Sequence, residues 1–391
     1  MIKILVIPSS DYLGHPIPSR THHIFERLND DQIEVHVARF NLYKNINIKS
    51  NTIIHNLRGG KTSSLLMYYL LNFFNHGQDI IKIIKREKID IIVASNLSPL
   101  LSYLFFKINS KHSIPIIFDV FDYFPTVAVG SYTNKDKIFG RILENIIKKI
   151  FDYLICKSDA ITVPSKVLFQ YIKENGKSEV VYIPNGVDEI FFKKYNGDEI
   201  REQFNFKPND VIVGYIGSTE FWLDMEPLFK GMKIAKKNNI PVKLLILGKS
   251  IFSAYTNNIL KWINNYQIKD DVIWLDFVPF FEVPKYISAI DLGVIPFKTS
   301  EPTAYFSNPN KMWEYFAQHK PVLSTPIPEV LNIKDAVHIV NTAYDYYDAF
   351  YNYYFFPEKF SPMAKIGYKL SRTKTWSNQA SIMREYIYSF L

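Results

Sequence analysis

A lysine and a glutamate three positions apart, Lys311 and Glu314, are the first residues of this sequence whose types and spacing could do chemistry. The surrounding segment SNPNKMWEYFA (residues 307–317) predicts a helix, with Asn308 as its cap and Pro309 in its first turn. Free N–H groups at such a start, with Lys311 one turn in, suit a phosphate. Glu314 on the same helix face could accept hydrogen bonds from sugar hydroxyls. An exposed ion pair worth about 0.3 kcal/mol explains the two residues equally well.

Two aspartates form a second candidate group. Asp119 and Asp122 end an apolar run in FDVFDYFP (residues 118–125). Ligands of open α/β sheets bind beyond the carboxyl ends of the strands, where Asp122 could orient or activate an acceptor hydroxyl. A carboxylate that caps a loop is the alternative interpretation.

The loop after the first apolar run, SSDYLGHPIPSR (residues 9–20), contains Gly14, His15 and Arg20. Arg20 could clamp a phosphate, because a guanidinium offers a fork of donors. His15 could be catalytic or merely solvated, and we expect it to be solvated. We place all three residues on the acceptor side of the predicted site.

The segment VGYIGS (residues 213–218) predicts a strand followed by a glycine loop and a helix near Asp224. Gly214 and Gly217 would let the backbone approach a ligand closely. An ordinary βα turn is the alternative, and the missing G-x-G-x-x-G pattern gives no support for NAD binding.

Three further site types do not fit the sequence. The stretch RGGKTSS (residues 58–64) resembles a P-loop, but His55 stands where that motif requires glycine. His22 and His23 are adjacent and point to different helix faces, so they make no metal pair. The sequence shows no cluster with metal-ligand spacing, and we expect no metal and no cofactor.

Composition limits the class of protein. The 391 residues are 47% hydrophobic and 21% charged, and the single cysteine, Cys156, fits a reducing compartment. No apolar run reaches 18 residues, so we expect a cytoplasmic protein. A net charge of +8 fits an anionic membrane surface or phosphorylated substrates. Nucleic acid is excluded as a partner, because no basic stripe with interleaved aromatics occurs.

Apolar runs separated by helical patterns predict two doubly wound α/β domains whose sheets face each other across a cleft. The predicted domains are residues 1–187 and 188–373, with residues 374–391 as a candidate completion of the first. We predict helices over 64–88, 136–157 and 361–391. The predicted strands lie in residues 2–8, 33–40, 51–57, 89–96, 114–121, 160–165 and 180–185, then 211–217, 242–248, 272–278, 292–297 and 321–326.

Four segments together resemble glycosyltransferase family 4. They are AITVPS (160–165), IPNGVDEIFF (183–192), VGYIGS (213–218) and PNKMWEYFAQHKPVLSTP (309–326), in this order. The resemblance implies a GT-B fold of two Rossmann-like domains and transfer of a sugar from a nucleotide diphosphate sugar with retention, generally without a metal. It places acceptor binding in the first domain and donor binding in the second.

The resemblance also implies roles for single residues. Glu314 matches the glutamate that holds the donor ribose, and Lys311 stands where several members supply a cation for the diphosphate. Gly217 and Ser218 match the pyrophosphate-facing loop, and Gly248 matches the strand end beside the base. The expected catalytic residues are Asp122 and Lys311, and the expected donor-binding residues are Gly217, Ser218, Gly248, Asn310, Lys311 and Glu314.

The sequence departs from the family pattern at three places. Phe121 replaces a histidine, with Asp122 beside it, and Phe306 replaces the first of two paired glutamates, with Glu301 nearby. The loop STEFWLDMEP (218–227) lacks the usual arginine and lysine, so Lys311 would be the main positive charge on the leaving diphosphate.

We therefore expect a hexosyltransferase-type enzyme whose partners are a nucleotide sugar and a lipid-linked or glycan acceptor. The positive charge and the apolar run at residues 65–74 predict peripheral association with the cytoplasmic face of a membrane. An equally open interpretation places that run in the core of a cytoplasmic enzyme. Two alternative functions stay open: a GT-B-like binding subunit that lacks catalysis, and a nucleotide-sugar epimerase on the same fold.

Overall fold

The computed structural model describes residues 1–14, 17–42, 48–60, 65–95, 97–108, 114–132, 138–176, 179–250 and 253–390. The chain forms two compact units. The first comprises Met1–Pro184 and Trp376–Leu391, and the second comprises Asn185–Thr375.

The first unit is built on a parallel sheet whose described strands follow the order β3-β2-β1-β4-β5-β6-β7. All seven apolar runs predicted as strands in this part of the chain are confirmed. The order reverses direction between β1 and β4, where doubly wound folds bind ligands. The strands are β1 (Ile2–Ile7), β2 (Ile33–Arg39), β3 (Ile53–Asn56), β4 (Ile91–Ala94), β5 (Ile116–Asp119), β6 (Ala160–Val163) and β7 (Val180–Tyr182).

Helices connect these strands. The single helix predicted over residues 64–88 is divided at Asn72, whose side chain donates to the Tyr68 carbonyl and accepts from the Gly60 amide. These side-chain bonds tie Asn72 to the preceding loop and turn, although its amide keeps a helical bond to the Tyr68 carbonyl at 3.2 Å. A new helix begins at Phe73. The described helices are α1 (Arg20–Glu26), α2 (Leu65–Leu71), α3 (Phe73–Glu87), α4 (Leu97–Lys107), α5 (Phe124–Tyr132), α6 (Ile138–Lys157) and α7 (Lys166–Glu174).

The second unit repeats the arrangement, with its described strands in the order β10-β9-β8-β11-β12-β13. The five strands predicted in this part of the chain are present as β8 to β12. The sixth strand, β13, has three residues and was not predicted. The two parallel sheets confirm the predicted fold class. The strands are β8 (Val211–Ile216), β9 (Val242–Leu247), β10 (Val272–Leu275), β11 (Leu292–Ile295), β12 (Val322–Ser324) and β13 (Val337–Ile339).

The helices of the second unit surround its sheet, and the helix predicted near Asp224 begins at Glu226. They are α8 (Asp198–Gln203), α9 (Glu226–Lys237), α10 (Ser253–Asn265), α11 (Val283–Ala289), α12 (Pro302–Tyr305), α13 (Asn310–Ala317), α14 (Pro328–Leu331), α15 (Ala343–Phe355) and α16 (Ser361–Arg372).

The chain ends with helix α17 (Trp376–Phe390), which packs into the core of the first unit. The Trp376 ring stacks on His23 of α1, with ring centroids 4.9 Å apart. The helix predicted over residues 361–391 is thus two helices in two different units. Among the described helices, none is long and apolar enough to cross a membrane.

Candidate functional site

Helix α13 carries the lysine and glutamate with which the sequence analysis began. It starts at Asn310 with Pro309 as its cap residue, one position later than predicted. The predicted capping role of Asn308 is wrong, because its side-chain oxygen accepts from the Trp313 indole at 2.9 Å. Asn308 therefore contacts the helix through the indole of Trp313 and does not cap a backbone amide of its first turn.

A tyrosine anchors α13 to two neighbouring central strands of the sheet, β8 and β11. The Tyr315 hydroxyl accepts from the Ile216 amide at 2.9 Å and donates to the Gly214 carbonyl at 3.1 Å. A Cβ at Gly293 on β11 would lie 2.4 Å from the Tyr315 ring. The absence of a side chain at position 293 therefore lets the helix approach the sheet.

The segment IPNGVDEIFF holds both ends of α13. Asn185 donates to the Asn308 carbonyl at 2.7 Å, just before the helix. At the other end, Gln318 donates to the carbonyl of Phe191 and, at 2.9 Å, to that of Lys193. The segment positions α13 in addition to connecting the two units.

Lys311 lies over two buried aromatic rings. Its Nζ atom is 4.9 Å from the centre of the Tyr215 ring and 5.1 Å from that of Phe297. Among the described residues, no carboxylate lies within 4.0 Å of this Nζ atom. Burial lowers the pKa of Lys311 to about 8, although Glu314 acts to raise it.

Glu314 is also half-buried, and burial raises its pKa to about 7. Lys311 lowers this pKa, whereas Asp188 of the IPNGVDEIFF segment raises it further. The exposed ion pair offered as an alternative is therefore not formed. Instead, the side chains of Lys311 and Glu314 are both desolvated on the same face of α13, and Lys311 lies over the aromatic rings.

Two glycine loops lie beside Lys311. Gly217 has φ +131°, and a Cβ there would come within 3.2 Å of Lys311 Nζ. Gly248, after β9, has φ +130°, and a Cβ there would lie 2.4 Å from the Gly217 carbonyl oxygen. Only glycine adopts such backbone conformations readily. At the carboxyl ends of β8 and β9, the backbone of Gly217 therefore lies close to Lys311, and the backbone of Gly248 lies close to Gly217.

The amides of these glycines are not free to bind an anion. The Gly217 amide donates to the Leu247 carbonyl at 2.8 Å, and the Gly248 amide donates to that of Leu275 at 3.0 Å. The match of Gly217 to a pyrophosphate-facing loop therefore has no free amide behind it at this position. Within the described part of the chain, the Ser218 amide makes no hydrogen bond, and it remains available.

The first turn of α13 offers further free groups. The amides of Asn310 and Lys311 have no partner among the described residues outside their helix. The buried Asn310 Oδ1 atom has none among them either. Helix N-termini carry a partial positive charge that favours anions. The amides of Asn310, Lys311 and Ser218 and the Lys311 ammonium group together form the positive part of the candidate site, whereas Asn310 Oδ1 is an acceptor.

The predicted acceptor-side carboxylate, Asp122, lines a pocket at the carboxyl ends of β4 and β5. Burial raises its pKa to about 7, Asp119 raises it further, and Arg20 lowers it. The neighbouring wall is mainly apolar and includes Leu97, Phe118, Phe121, Phe124 and Phe151.

Arg20, which the sequence offers as a phosphate clamp, is already bound within the first unit. Its Nε atom donates to both Asp119 oxygens at 3.2 Å, and its Nη1 atom donates to the Pro184 carbonyl at 3.2 Å. Asp119 also accepts from the Thr162 hydroxyl at 2.7 Å. Arg20 begins α1 and is buried, and its charge acts on Asp122 in the pocket.

The first loop is organised by a residue that the sequence analysis did not single out. Asp11 is buried, accepts from the Gly14 amide at 3.1 Å and forms an ion pair with Arg39 at 2.7 Å. Gly14 therefore closes a turn. His15 lies outside the described residues.

Comparison with known proteins supports a family assignment. The family model "Glycosyltransferase Family 4" matches residues 19–190, and the model "Glycosyl transferases group 1" matches residues 196–335. A Bacillus subtilis protein named "Putative teichuronic acid biosynthesis glycosyltransferase TuaH" is 26% identical over 216 residues. That match covers 54% of this chain and 51% of the relative, so the chain spans about half of that relative's length.

Two solved structures show the same fold at low identity. Sucrose-phosphate synthase from Thermosynechococcus elongatus superimposes with a TM-score of 0.79 at 13% identity, covering 100% of this chain and 99% of the other. HepE from Anabaena, solved in complex with UDP-glucose, gives a TM-score of 0.76 at 13% identity and covers 100% of both chains. Since two family models match consecutive parts of it and its fold is GT-B, this chain belongs to the glycosyltransferases of the family 4 type.

Proposed function

We propose that this protein transfers a hexose or related sugar from a nucleotide diphosphate sugar to an acceptor hydroxyl, with retention of anomeric configuration. The observation that carries the proposal is the position of Lys311. Its ammonium group, unpaired among the described carboxylates, lies beside Gly217 and the start of α13. The UDP-glucose complex of HepE, a protein of the same fold, supports a nucleotide sugar as donor.

The chemistry follows from charge development on the leaving group. As the glycosidic bond breaks, its electron pair moves to the diphosphate oxygen and the anomeric carbon becomes oxocarbenium-like. Lys311, the Ser218 amide and the first amides of α13 would stabilise the developing negative charge. Fixed donors in a desolvated site act more strongly on such charge than the same donors in water. The acceptor hydroxyl would attack from the face that the diphosphate leaves.

Asp122 is the proposed group for the acceptor hydroxyl. With its pKa near 7, the carboxyl group is ionised in part at neutral pH and can accept a proton. The apolar pocket wall around it fits an acceptor with a hydrophobic portion. We assign no covalent nucleophile to the reaction.

An apolar surface on the first unit supports a lipid-linked acceptor at the cytoplasmic face of a membrane, in surface glycan or glycoprotein assembly. This apolar patch consists of Met67, Leu70, Leu71, Phe74 and Phe105, each at least 44% exposed. Phe74 and Phe105 contact each other, with ring centroids 6.3 Å apart. Apolar side chains on neighbouring helices can enter the interface of a bilayer without crossing it.

The test of the donor assignment is Glu314→Ala, with exposed Glu358→Ala as the matched control. Losing hydrogen bonds to a charged acceptor costs about 1.5–3 kcal/mol, so we expect UDP-glucose or the preferred donor to bind roughly 10- to 100-fold more weakly. Titration calorimetry measures the affinity, and circular dichroism checks the fold. An unchanged affinity and kcat/KM in the folded variant would contradict the role of Glu314.

Product analysis separates the three functions. A transferase releases nucleoside diphosphate and a new glycoside, whose anomeric configuration NMR compares with that of the donor. An epimerase converts the donor sugar without an acceptor. A binding subunit leaves every donor intact in a panel of lipid-linked and soluble acceptors.

A further inference from the structure

Two histidines and a glutamate meet at the edge of the first sheet. His36 lies on β2, His55 on the edge strand β3, and Glu87 in the last turn of α3. One nitrogen or oxygen ligand atom from each residue lies within 4.8 Å of the other two. The His36 side chain is fully buried, and the other two are partly exposed. Three separate elements contribute the group, so no short sequence motif reveals it.

Hydrogen bonds define the tautomers of both histidines. Arg86 can only donate, and its Nη2 atom lies 3.0 Å from His55 Nδ1, which must therefore accept. His55 Nε2 then carries the proton and donates to His36 Nδ1 at 2.9 Å. His36 Nε2 in turn donates to Glu34 at 2.9 Å. The lone pair of the buried His36 Nδ1 thus faces His55, and a ligand atom of Glu87 lies within 4.8 Å of the two histidines.

We propose that His36, His55 and Glu87 form a binding site for a divalent transition-metal ion of the Zn²⁺ class. Two imidazoles and one carboxylate, completed by water, are a common donor set for Zn²⁺. The bond from His36 to Glu34 is the support that metal-bound histidines regularly receive from a carboxylate, and it fixes the ring. Nitrogens bound to one tetrahedral ion at about 2.0 Å lie about 3.3 Å apart, so the rings would separate slightly and each would turn by about 35° to direct its lone pair at the ion.

Arg86 competes with the metal. Besides contacting His55, its guanidinium donates to Glu87 at 2.6 Å, so it neutralises the same two groups that an ion would bind. Metal binding moves the His55 proton from Nε2 to Nδ1, and Arg86 loses its acceptor. The Arg86 side chain is 65% exposed and can turn into solvent. Removing Arg86 should therefore strengthen metal binding.

The site would join β2, β3 and α3. It consists of first-unit residues only, whereas the proposed donor-binding residues belong to the second unit. An ion that binds the folded state but not the unfolded chain stabilises the fold. We therefore assign this site a structural role, in which chelation lowers the melting temperature and leaves sugar transfer intact.

The experiment uses full-length protein freed of metal with EDTA and titrated with Zn²⁺ by calorimetry. We expect one saturable site, weakened at least 10-fold in His55→Ala and in Glu87→Gln, and tightened in Arg86→Met. His319→Asn is the matched control, because His319 is exposed and its positive φ suits asparagine. Co²⁺ in place of Zn²⁺ should give the visible absorption of a four-coordinate site, and this absorption should be lost in Glu87→Gln.

Several outcomes would overturn the proposal. One is the absence of saturable Zn²⁺ binding in the wild type; another is equal binding by the wild type and Glu87→Gln, which alters only a partly exposed residue. Equal affinities of the wild type and Arg86→Met would refute the competition. A melting temperature that Zn²⁺ does not raise, or transfer activity lost with EDTA and restored by Zn²⁺, would refute the structural role.

Discussion

Among single residues, Lys311 matters most for the proposed reaction. Its ammonium group lies over the rings of Tyr215 and Phe297 and beside the backbone of Gly217. Among the described residues no carboxylate pairs with it, so its charge is available to a ligand. A charge that acts mainly on the leaving diphosphate contributes more in the transition state than in the ground state.

We expect Lys311→Ala to lower kcat by roughly 100- to 1,000-fold, as loss of one oxyanion donor does elsewhere, with a smaller rise in KM. Steady-state kinetics with a fixed acceptor measures both constants. Exposed Lys237→Ala is the matched control. A loss confined to KM would show that Lys311 binds substrate and transition state equally.

The pKa values of Lys311 and Glu314 predict how donor affinity depends on pH. Glu314, with a pKa of about 7, accepts hydroxyl hydrogen bonds better when it is ionised, so binding strengthens as pH rises through 7. Lys311, with a pKa of about 8, loses its charge above that value, so binding weakens again. We expect the affinity for UDP-glucose to peak between about pH 7 and about pH 8.

Calorimetry across this pH range tests that profile, since the diphosphate of UDP-glucose keeps its charge throughout. The variant Glu314→Gln should lose the acidic limb and keep the alkaline one. A flat profile for the wild-type protein would be incompatible with the two shifted pKa values.

The sequence predicted which residues of α13 carry chemistry but could not show what surrounds them. The aromatic rings under Lys311 belong to Tyr215 on β8 and to Phe297, two residues after the end of β11. In the sequence, both residues look like ordinary members of the hydrophobic core. The pairing of Arg20 with Asp119 joins residues 99 positions apart, which no local spacing reveals. Tertiary contacts decide whether such a charged group is free or already bound.

At the scale of elements, the strands were the most predictable part of the fold. A parallel strand buried on both faces needs a continuous apolar run, and 12 such runs were recognised. The strand β13 was missed because His338 interrupts its short apolar run. The helix boundaries at Asn72 and Pro309 depend on side-chain hydrogen bonds that the apolar pattern does not encode.

The loop after β8 yields a prediction at this scale. In Gly217→Ala, the strained φ costs about 1–3 kcal/mol, and the new Cβ also crowds Lys311. We expect kcat to fall at least 10-fold together with a lower melting temperature. Gly176→Ala is the matched control, because Gly176 also has a positive φ, +88°, but nothing lies within 4 Å of its Cβ position.

Thermal denaturation and steady-state kinetics of both variants separate strain from displacement of Lys311. Gly176→Ala should lose stability and keep its kcat. If Gly217→Ala retained the wild-type kcat, the close approach of this loop to Lys311 would have no catalytic importance.

At the scale of the whole molecule, the net charge of +8 and the apolar patch have to be considered together. Within the predicted run 65–74, Tyr68 and Tyr69 are buried, whereas Leu70 and Leu71 are at least 60% exposed. The core and surface interpretations of this run therefore each hold for part of it. Exposed apolar side chains grouped on neighbouring helices are typical of surfaces that bind a partner or a membrane.

We predict that the apolar patch binds anionic membranes, with each basic residue near the surface adding about 1 kcal/mol of attraction. The double variant Leu71→Ser/Phe74→Ser should lose most of its binding to vesicles that contain phosphatidylglycerol, in a flotation assay at low and high salt. Phe281→Ser is the matched control, because Phe281 is 67% exposed but belongs to the second unit. The double variant should still transfer sugar to a soluble acceptor and should slow only on a lipid-linked one. Wild-type protein that fails to float at low salt, or a double variant that floats as well as Phe281→Ser, would refute a membrane role for this patch.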